Sequence, residues 1–558
     1  MSFKDELKTN LQTDFYGTEQ FIDALHQYIS RNQQPRFIVY ADYDVDGVMS
    51  GIVTGAALEI FGVAFPEIIY PSMKTGYGLN QTVIDQVIDH RHDNRQAVLI
   101  TADNGIALDK NSITLPNNWN ILITDHHQGN PDAFPSFAQA VVDPNRADVK
   151  DGASFSGFCG AGVIWKLMLA YAQKYGTDEQ WDAVYNLVPF VALGTVCDQM
   201  KITDQNQQIV AEGLKAWNNQ SWIKARINDS EKLAEEQQLP LPSIASQMYG
   251  FMKDYPKFNH WAANRIDDQT FGWSLGPLIN SSRRMTEESK LAYQLFLSLT
   301  DEKRQATYAE LDRLNNLRKS LSSVTTSQLI EQLAENGTDS NVIVAITDSP
   351  LGVCGIVASR LVDEFNCPAI VVTTQPEHYG AASGRSIDSI DILRFLRQVN
   401  DREQHLISKF GGHKAACGLT LAGTTDEELH TSAKKLMDLS NQLIQYQSHS
   451  HQSLQAEFNS WDDLVQSTFS NLQTGAKRPF SVILNNPEQL LSVVSAKGKR
   501  HDYHGLISDA SQSITELKFS ESTAAKLRKS TSQVKLVCHL ANNRGLLAKY
   551  SLYVDDVQ

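Results

Sequence analysis

At 558 residues the chain is too long for a single hydrophobic core, and about three domains are expected. With 42% hydrophobic and 20% charged residues it reads as a globular protein, and a net charge of −15 excludes a surface coated in nucleic acid while leaving room for a local basic channel. Six scattered cysteines form neither a disulfide framework nor a zinc knuckle, no apolar run approaches membrane-spanning length, and the polar start Met1-Ser-Phe-Lys4 carries no secretory signal, so a cytoplasmic protein without membrane contact is expected.

Residues 1 to 35 are polar, with helical spacing from Thr18 to Ile29. The run Phe37-Ile-Val-Tyr40 then reads as a buried strand of a parallel sheet, and it leads into Asp42-Tyr-Asp-Val-Asp-Gly47 ahead of a helix-spaced segment, Val48 to Phe61. Three carboxylates gathered at a strand end repel one another and lose hydration unless compensated. A solvated acidic turn is one solution; a divalent cation held by oxygen ligands is another.

The same pattern recurs. Ala97-Val-Leu-Ile-Thr101 runs into Asp103-Asn-Gly105, and Asn120-Ile-Leu-Ile-Thr124 into Asp125-His-His127. Gln139-Ala-Val-Val142 runs into Asp143-Pro-Asn145, and Pro189-Phe-Val-Ala-Leu193 leads through Gly194 to Asp198. If all of these runs are strands of one doubly wound parallel sheet, their C-terminal ends share one edge and the acids converge on one crevice. The convergent set is Asp42, Asp44, Asp46, Asp103, Asp125, His126, His127 and Asp198. Carboxylate oxygens with imidazole nitrogen suit Mn2+, and Mg2+ less exclusively. So many anionic ligands suit two ions, roughly 3.5–4 Å apart, better than one.

Residues 215 to 270 read as helices with a surface excursion. From Asp301 to Glu335 helix formers run almost unbroken, with Leu311, Leu314, Leu317 and Leu321 at near-heptad spacing, and Arg304, Arg313, Arg318 and Lys319 on what reads as a solvated face. Asn341-Val-Ile-Val-Ala-Ile346 opens a second α/β unit, followed by a helix from Gly355 to Phe365 and the strand Ala369-Ile-Val-Val372. Ser383-Gly-Arg-Ser386 and Gly411-Gly-His413 offer backbone amides, a guanidinium and an imidazole to a phosphate and, with Arg360, read as a substrate clamp facing the first lobe across a cleft. After a helix at 424–447, the last hundred residues alternate short apolar strands with turns, which suggests a small antiparallel barrel of OB type. Its basic tip, Lys497-Gly-Lys-Arg-His501 beside Tyr503, suits a single nucleic-acid strand.

The segments Asp42–Gly47, Asp103-Asn-Gly105, Asp125-His-His127 and Gly194-Thr-Val-Cys-Asp198 resemble the four successive motifs of the DHH phosphoesterase superfamily. Further segments resemble its RecJ branch of single-strand-specific exonucleases. These are the loop around Tyr77, Cys159-Gly-Ala-Gly-Val163, Gly276-Pro-Leu-Ile-Asn280 with Arg284, Gly355-Ile-Val-Ala-Ser-Arg-Leu361, Ser383-Gly-Arg-Ser386 and Gly411-Gly-His-Lys-Ala-Ala-Cys-Gly418. The resemblance implies that Asp46, Asp103, His126 and Asp198 hold one ion. Asp44 with Asp42 would hold the other, Asp103 bridging. It also implies that His127 faces the scissile phosphate or steadies the site, and that Tyr77, Asn280, Arg284, Arg360, Ser383, Arg385, Gly412 and His413 contact substrate. Asp125 is expected to orient His126, since a ligating imidazole needs a carboxylate partner, and the basic tip adds Lys497, Lys499 and Arg500 to the expected substrate contacts. The branch signature's Arg falls at Leu278 and its later Gly at Arg283, so one phosphate contact is lost or is supplied by Arg283; a His common among relatives falls at Tyr40.

The expected architecture is α/β. A parallel-sheet DHH domain with an N-terminal helical segment occupies 1–300, a long linking helix 301–335, a second α/β (DHH-associated) domain 336–447 and an OB-like β-barrel 454–558. The expected function is metal-dependent phosphodiester hydrolysis as a 5′→3′ exonuclease on single-stranded DNA, in repair, recombination or replication. The reaction type follows from the acidic site; polarity and preference for DNA follow from the resemblance. A phosphodiesterase for short oligonucleotides or cyclic dinucleotides is an alternative, but such substrates need no terminal barrel. A non-catalytic replication scaffold is another, against which stands the full complement of carboxylates and histidines. Single-stranded DNA is the expected partner, with a single-strand-binding protein or helicase beside it, and the chain is expected to be a monomer.

Overall fold

The computed structural model describes residues 2–444, apart from 12–14, 32, 77, 90–94, 109–112, 130–133, 147, 150–154, 260–264, 337–340 and 388; beyond them it describes the strand residues 480–484, 494–495, 503–508, 514–519, 534–540 and 550–557. The first sheet contains β1 (Arg36–Ala41), β2 (Glu67–Ile69), β3 (Ala97–Ala102), β4 (Trp119–Thr124) and β5 (Ala140–Val142). All are parallel, in the order β2-β1-β3-β4-β5. Every residue of β1 and β3 is buried, which is why these strands read as continuous apolar runs rather than alternating ones. The strand order reverses between β1 and β3, and in such sheets ligands bind outside the carboxyl ends at that point. Asp42, Asp44 and Asp46 follow β1, and Asp103 follows β3.

Three buried helices back this edge. Val45–Ile60 is buried along its whole length, Gly160–Tyr175 along most of its own, and both pack with Val188–Cys197. The last of these corrects the sequence reading, because Pro189–Leu193 is helical and not a strand. A short apolar run buried on all sides has no periodicity to tell the two apart, and Pro189 is tolerated because it lies in the first turn. Asp198 still reaches the crevice, as the residue that ends this helix.

The second sheet contains β6 (Ile343–Thr347), β7 (Ala369–Thr373), β8 (Ala381–Arg385), β9 (Ile407–Gly412) and β10 (Ala416–Leu421), in the order β6-β7-β8-β10-β9. β6 and β7 are parallel and the other pairs antiparallel. The helix Leu351–Phe365 packs on Ile343, Ala345, Ala369 and Val371, while Ile392–Arg402 and Asp426–Leu443 pack on Val344, Ile370 and Val372 of the opposite face. The linking helix runs from Asp301 to Asn336. Its Arg304 is buried and not solvated, paired to Asp254 at 2.5 Å and Asp301 at 2.8 Å.

Toward the C-terminus, β11 (Phe480–Leu484), β12 (Val494–Ser495), β13 (Tyr503–Ser508), β14 (Ile514–Phe519), β15 (Val534–Leu540) and β16 (Tyr550–Val557) form a separate sheet, ordered β11-β15-β16-β14-β13-β12. Within it β14 and β16 run parallel, where the sequence suggested an antiparallel arrangement. The basic tip with Lys497, Lys499 and Arg500 lies outside the described residues. Among the described residues, no helix is long and apolar enough to cross a membrane.

Candidate active site

The carboxylates are fixed by the backbone around them. Asp44 caps the helix Val45–Ile60, accepting from the Gly47 amide at 3.1 Å. Asp46, in the first turn of that helix, accepts from the amides of Gly160 (2.6 Å) and Ala161 (3.1 Å). These amides open the helix Gly160–Tyr175, so they have no partner within it, and the helix dipole favours the negative charge. Two glycines make this approach possible. A Cβ on Gly160 would stand 2.4 Å from the Asp103 Cβ, and one on Gly194 would stand 2.5 Å from Asp46 Oδ1. Asp103 itself has φ +64°, a left-handed conformation that costs a non-glycine residue energy and is found where a site over-determines the backbone.

His126 Nε2 is the centre of the cluster. It lies 3.1 Å from Asp103 Oδ1, 3.6 Å from Asp198 Oδ2 and 3.9 Å from Asp46 Oδ2. Asp46, His126 and Asp198 offer ligand atoms within 4.8 Å of one another, as do Asp103, His126 and His127. Asp103 Oδ1 is buried and has no hydrogen-bond partner. Burial, then neighbouring carboxylates, holds Asp103 well above the ordinary carboxylate range. The same causes push Asp198 up to about 9, and burial followed by Asp44 pushes Asp42 up to about 7. Asp46 is raised mainly by burial, although the His126 charge opposes it. Burial lowers His126, which favours the neutral imidazole that ligates metals. Buried acids that resist ionisation, grouped around an acceptor without a donor, are stabilised by a bound cation, so the donor set fits a divalent ion.

The structure brings Asp46, Asp103, His126, His127 and Asp198 together. Asp42 and Asp44 are near enough to perturb them, but among the described residues neither forms an ion pair with His126 or His127 within 4 Å. One expectation is corrected: Asp125 orients His127, not His126. Asp125 Oδ1 accepts from His127 Nδ1 at 2.7 Å and from the His126 and His127 amides at 2.7 and 3.2 Å, while Oδ2 accepts from the Ile106 amide. A turn that donates three groups to one carboxylate oxygen draws the nearer ring as well. Burial works against a charged His127, but the hydrogen bond and charge of Asp125 outweigh it and push it up to about 10.

His126 is steadied instead through its carbonyl, which accepts from Asn145 Nδ2 at 2.6 Å. Asn145 was not among the expected site residues, nor was its neighbour Asp143, a buried acid pushed up to about 8 by burial and then by Asp125. Both follow an apolar run, the signal that marked the clustered acids and histidines. Tyr40 donates to the Gly78 carbonyl at 3.1 Å, so its hydroxyl serves the neighbouring loop. Tyr77 lies outside the described residues.

A cationic group adjoins the acids. Burial, then Arg283, Arg318 and Arg385, pushes Arg284 down to about 9; Arg385 and Arg318 are lowered by burial and by Arg283 and Arg360 respectively. Among the described residues Arg283, Arg284, Arg318 and Arg385 have no carboxylate within 4 Å. Arg284 Nη1 donates to the Gly352 carbonyl (3.1 Å), and the Arg385 guanidinium lies against Gly355, so both sit where the Leu351–Phe365 helix begins. Ser383 and Arg385 are on β8, whose Arg385 pairs with Ala416 of β10. Gly412 and His413 occupy the exposed hairpin at the same sheet end, and among the described residues no hydrogen bond joins them to the guanidinium group. Asn280 accepts from Arg283 Nε at 2.9 Å.

Comparison with known proteins identifies two domains and a set of relatives. The DHH family N-terminal domain matches residues 36–195 and the DHHA1 domain residues 339–446. The single-stranded-DNA-specific exonuclease RecJ of Bacillus subtilis (strain 168) is 29% identical over 435 residues, covering 76% of this chain and 49% of that protein. Its counterpart in Haemophilus influenzae is 28% identical over 424 residues, covering 73% and 66%. The chain thus spans about half to two thirds of these relatives. The crystal structure of RecJ in complex with Mn2+ from Thermus thermophilus superimposes with a TM-score of 0.68 at 20% identity, covering 99% of this chain and 73% of that one, which shows a shared fold. The chain thus carries a DHH family N-terminal domain followed by a DHHA1 domain, and RecJ exonucleases are similar to it over about three quarters of its length.

Proposed function

We propose that the protein is a metal-dependent phosphodiester hydrolase that removes nucleotides from the 5′ end of single-stranded DNA, in repair, recombination or replication. The observation that carries this reading is that Asp46, Asp103 and Asp198 all lie within 4 Å of His126 Nε2, beside a group of guanidiniums without carboxylate partners among the described residues. Asp46, Asp103, His126 and Asp198 would hold one divalent ion and Asp44 with Asp42 a second, Asp103 being shared. Mn2+, and Mg2+ less selectively, suits these oxygen and nitrogen donors. Bound ions would lower the pKa of a water, neutralise the phosphate and stabilise the departing oxygen.

The chain's own residues do the rest. The Gly160 and Ala161 amides hold the Asp46 carboxylate in one orientation. Asp125 keeps His127 charged, which suits a donor to a phosphate oxygen. Arg284, Arg385 and Ser383, with Arg360 nearby, would grip the phosphate at the strand terminus, and Asn280, Gly412, His413 and the loop at Tyr77 would border the strand. The terminal sheet, read as an OB-like barrel carrying Lys497, Lys499 and Arg500, would hold the strand beyond the cut. Delivery by a single-strand-binding protein or a helicase, action as a monomer and a cytoplasmic location belong to the same reading.

The test uses purified protein, Mn2+ and end-labelled single strands of both polarities. Mononucleotide release from the 5′ end is expected. Release only from the 3′ end, or faster turnover of dinucleotides than of long strands, would contradict it.

A further inference from the structure

The helix Gly276–Thr286 carries two adjacent guanidiniums that face different partners. Arg284 reaches the second lobe through the Gly352 carbonyl. Arg283 turns toward the acids: its guanidinium lies over the ring of Tyr43, 4.9 Å from the centroid, and its Nε donates to Asn280 Oδ1 at 2.9 Å. Tyr43 stands between Asp42 and Asp44, so this platform is part of the acidic strand end itself. The Arg283 charge is felt both at Asp42 and at Arg284 and Arg385, which puts it near both the acidic and the cationic groups. Among the described residues no carboxylate pairs with it. Leu278, one turn back, is buried in the core and offers substrate nothing.

A guanidinium stacked on an aromatic ring, with one N–H committed, keeps its remaining donors in a fixed plane. Such a fork matches the oxygens of a phosphate better than a mobile ammonium does. We propose that Arg283 contacts a non-bridging oxygen of the scissile phosphodiester, held there by Tyr43 and Asn280. This rests on the functional reading above and adds to it a donor from outside the metal-binding residues. Arg283 moves no proton; it stabilises the charge that builds on that oxygen as the nucleophile attacks.

The experiment compares wild type, Arg283→Gln and Arg283→Lys on 5′-phosphorylated single strands with Mn2+. The first linkage is a phosphate or a phosphorothioate of either configuration. Melting temperature and Mn2+ affinity are measured alongside. Arg283→Gln is expected to lower kcat by roughly 10²–10³-fold while KM shifts by less than about threefold. Arg283→Lys recovers part of that loss, since it keeps charge but not the stacked fork. When sulfur replaces the contacted oxygen, the Gln variant's extra loss shrinks for that configuration alone. The inference is overturned by an equal loss on all three linkages, by a rise in KM with kcat unchanged, or by a matching loss of Mn2+ affinity. If wild type cuts and Arg283→Gln cuts as fast, only this inference falls. If wild type cuts no strand, the functional reading falls and this one with it.

Discussion

Asp103 is buried, left-handed in backbone, and carries an oxygen that no donor serves. A carboxylate held in that way is stable only when protonated or beside a cation, and this fixes a pH dependence. Asp42, Asp46, Asp103 and Asp198 all have folded-state values above the ordinary 3.8, Asp198 reaching about 9. An acid raised on folding binds its proton more tightly in the folded state. Its contribution to stability is therefore complete below the unfolded value and is lost as pH rises through the folded one. The metal-free protein should lose stability between about pH 4 and pH 9 from this source, by about 1.4 kcal/mol per pH unit for each proton involved. A divalent ion binds the ionised form and reverses the loss, so the gap in melting temperature between Mn2+ and chelator should widen from about pH 6 to about pH 8.5. A gap independent of pH would refute this.

The clustered acids and histidines at this scale stood out in the sequence because each follows an apolar run. What was not legible is who holds whom. The pairing of Asp125 with His127, the Asn145 bond to the His126 carbonyl and the seat of Arg283 on Tyr43 all depend on side-chain direction across turns, which spacing does not encode.

At the scale of elements, the sheet edge was readable from its uniform apolar strands, and the second lobe from its strand–helix–strand order. The helix Val188–Cys197 was not, because burial on every side erases the period that separates helix from strand. β2 escaped notice because its residues Glu67–Ile69 are only half-buried and begin with a charge, so they form no apolar run, whereas the equally short β5 is fully buried and apolar. That buried helix also sets the site's tolerance. Gly194 lies against Asp46, and a methyl group there would enter the space of Oδ1 at 2.5 Å. Gly194→Ala should therefore weaken Mn2+ binding by roughly 10–100-fold, as loss of a supporting contact does. Titration calorimetry checks it, with unchanged affinity as the opposing outcome.

At the scale of the molecule, an acidic chain of net charge −15 concentrates cations without carboxylate partners beside its acid cluster, where the helix Gly276–Thr286 meets the DHHA1 domain through Arg284 and Gly352. The acids suit metal and the cations suit phosphate, and neither group is satisfied by the other. Composition alone pointed away from nucleic acid; the local separation of charge points toward it. The most direct measurement takes 5′-labelled single strands with Mn2+ and follows nucleotide release and strand binding side by side, for wild type, Asp103→Ala and His126→Ala. Hydrolysis should fall by roughly 10³-fold or more in each variant, while the strand Kd changes by less than about threefold. Equal losses of hydrolysis and binding, or hydrolysis retained without Asp103, would contradict the account.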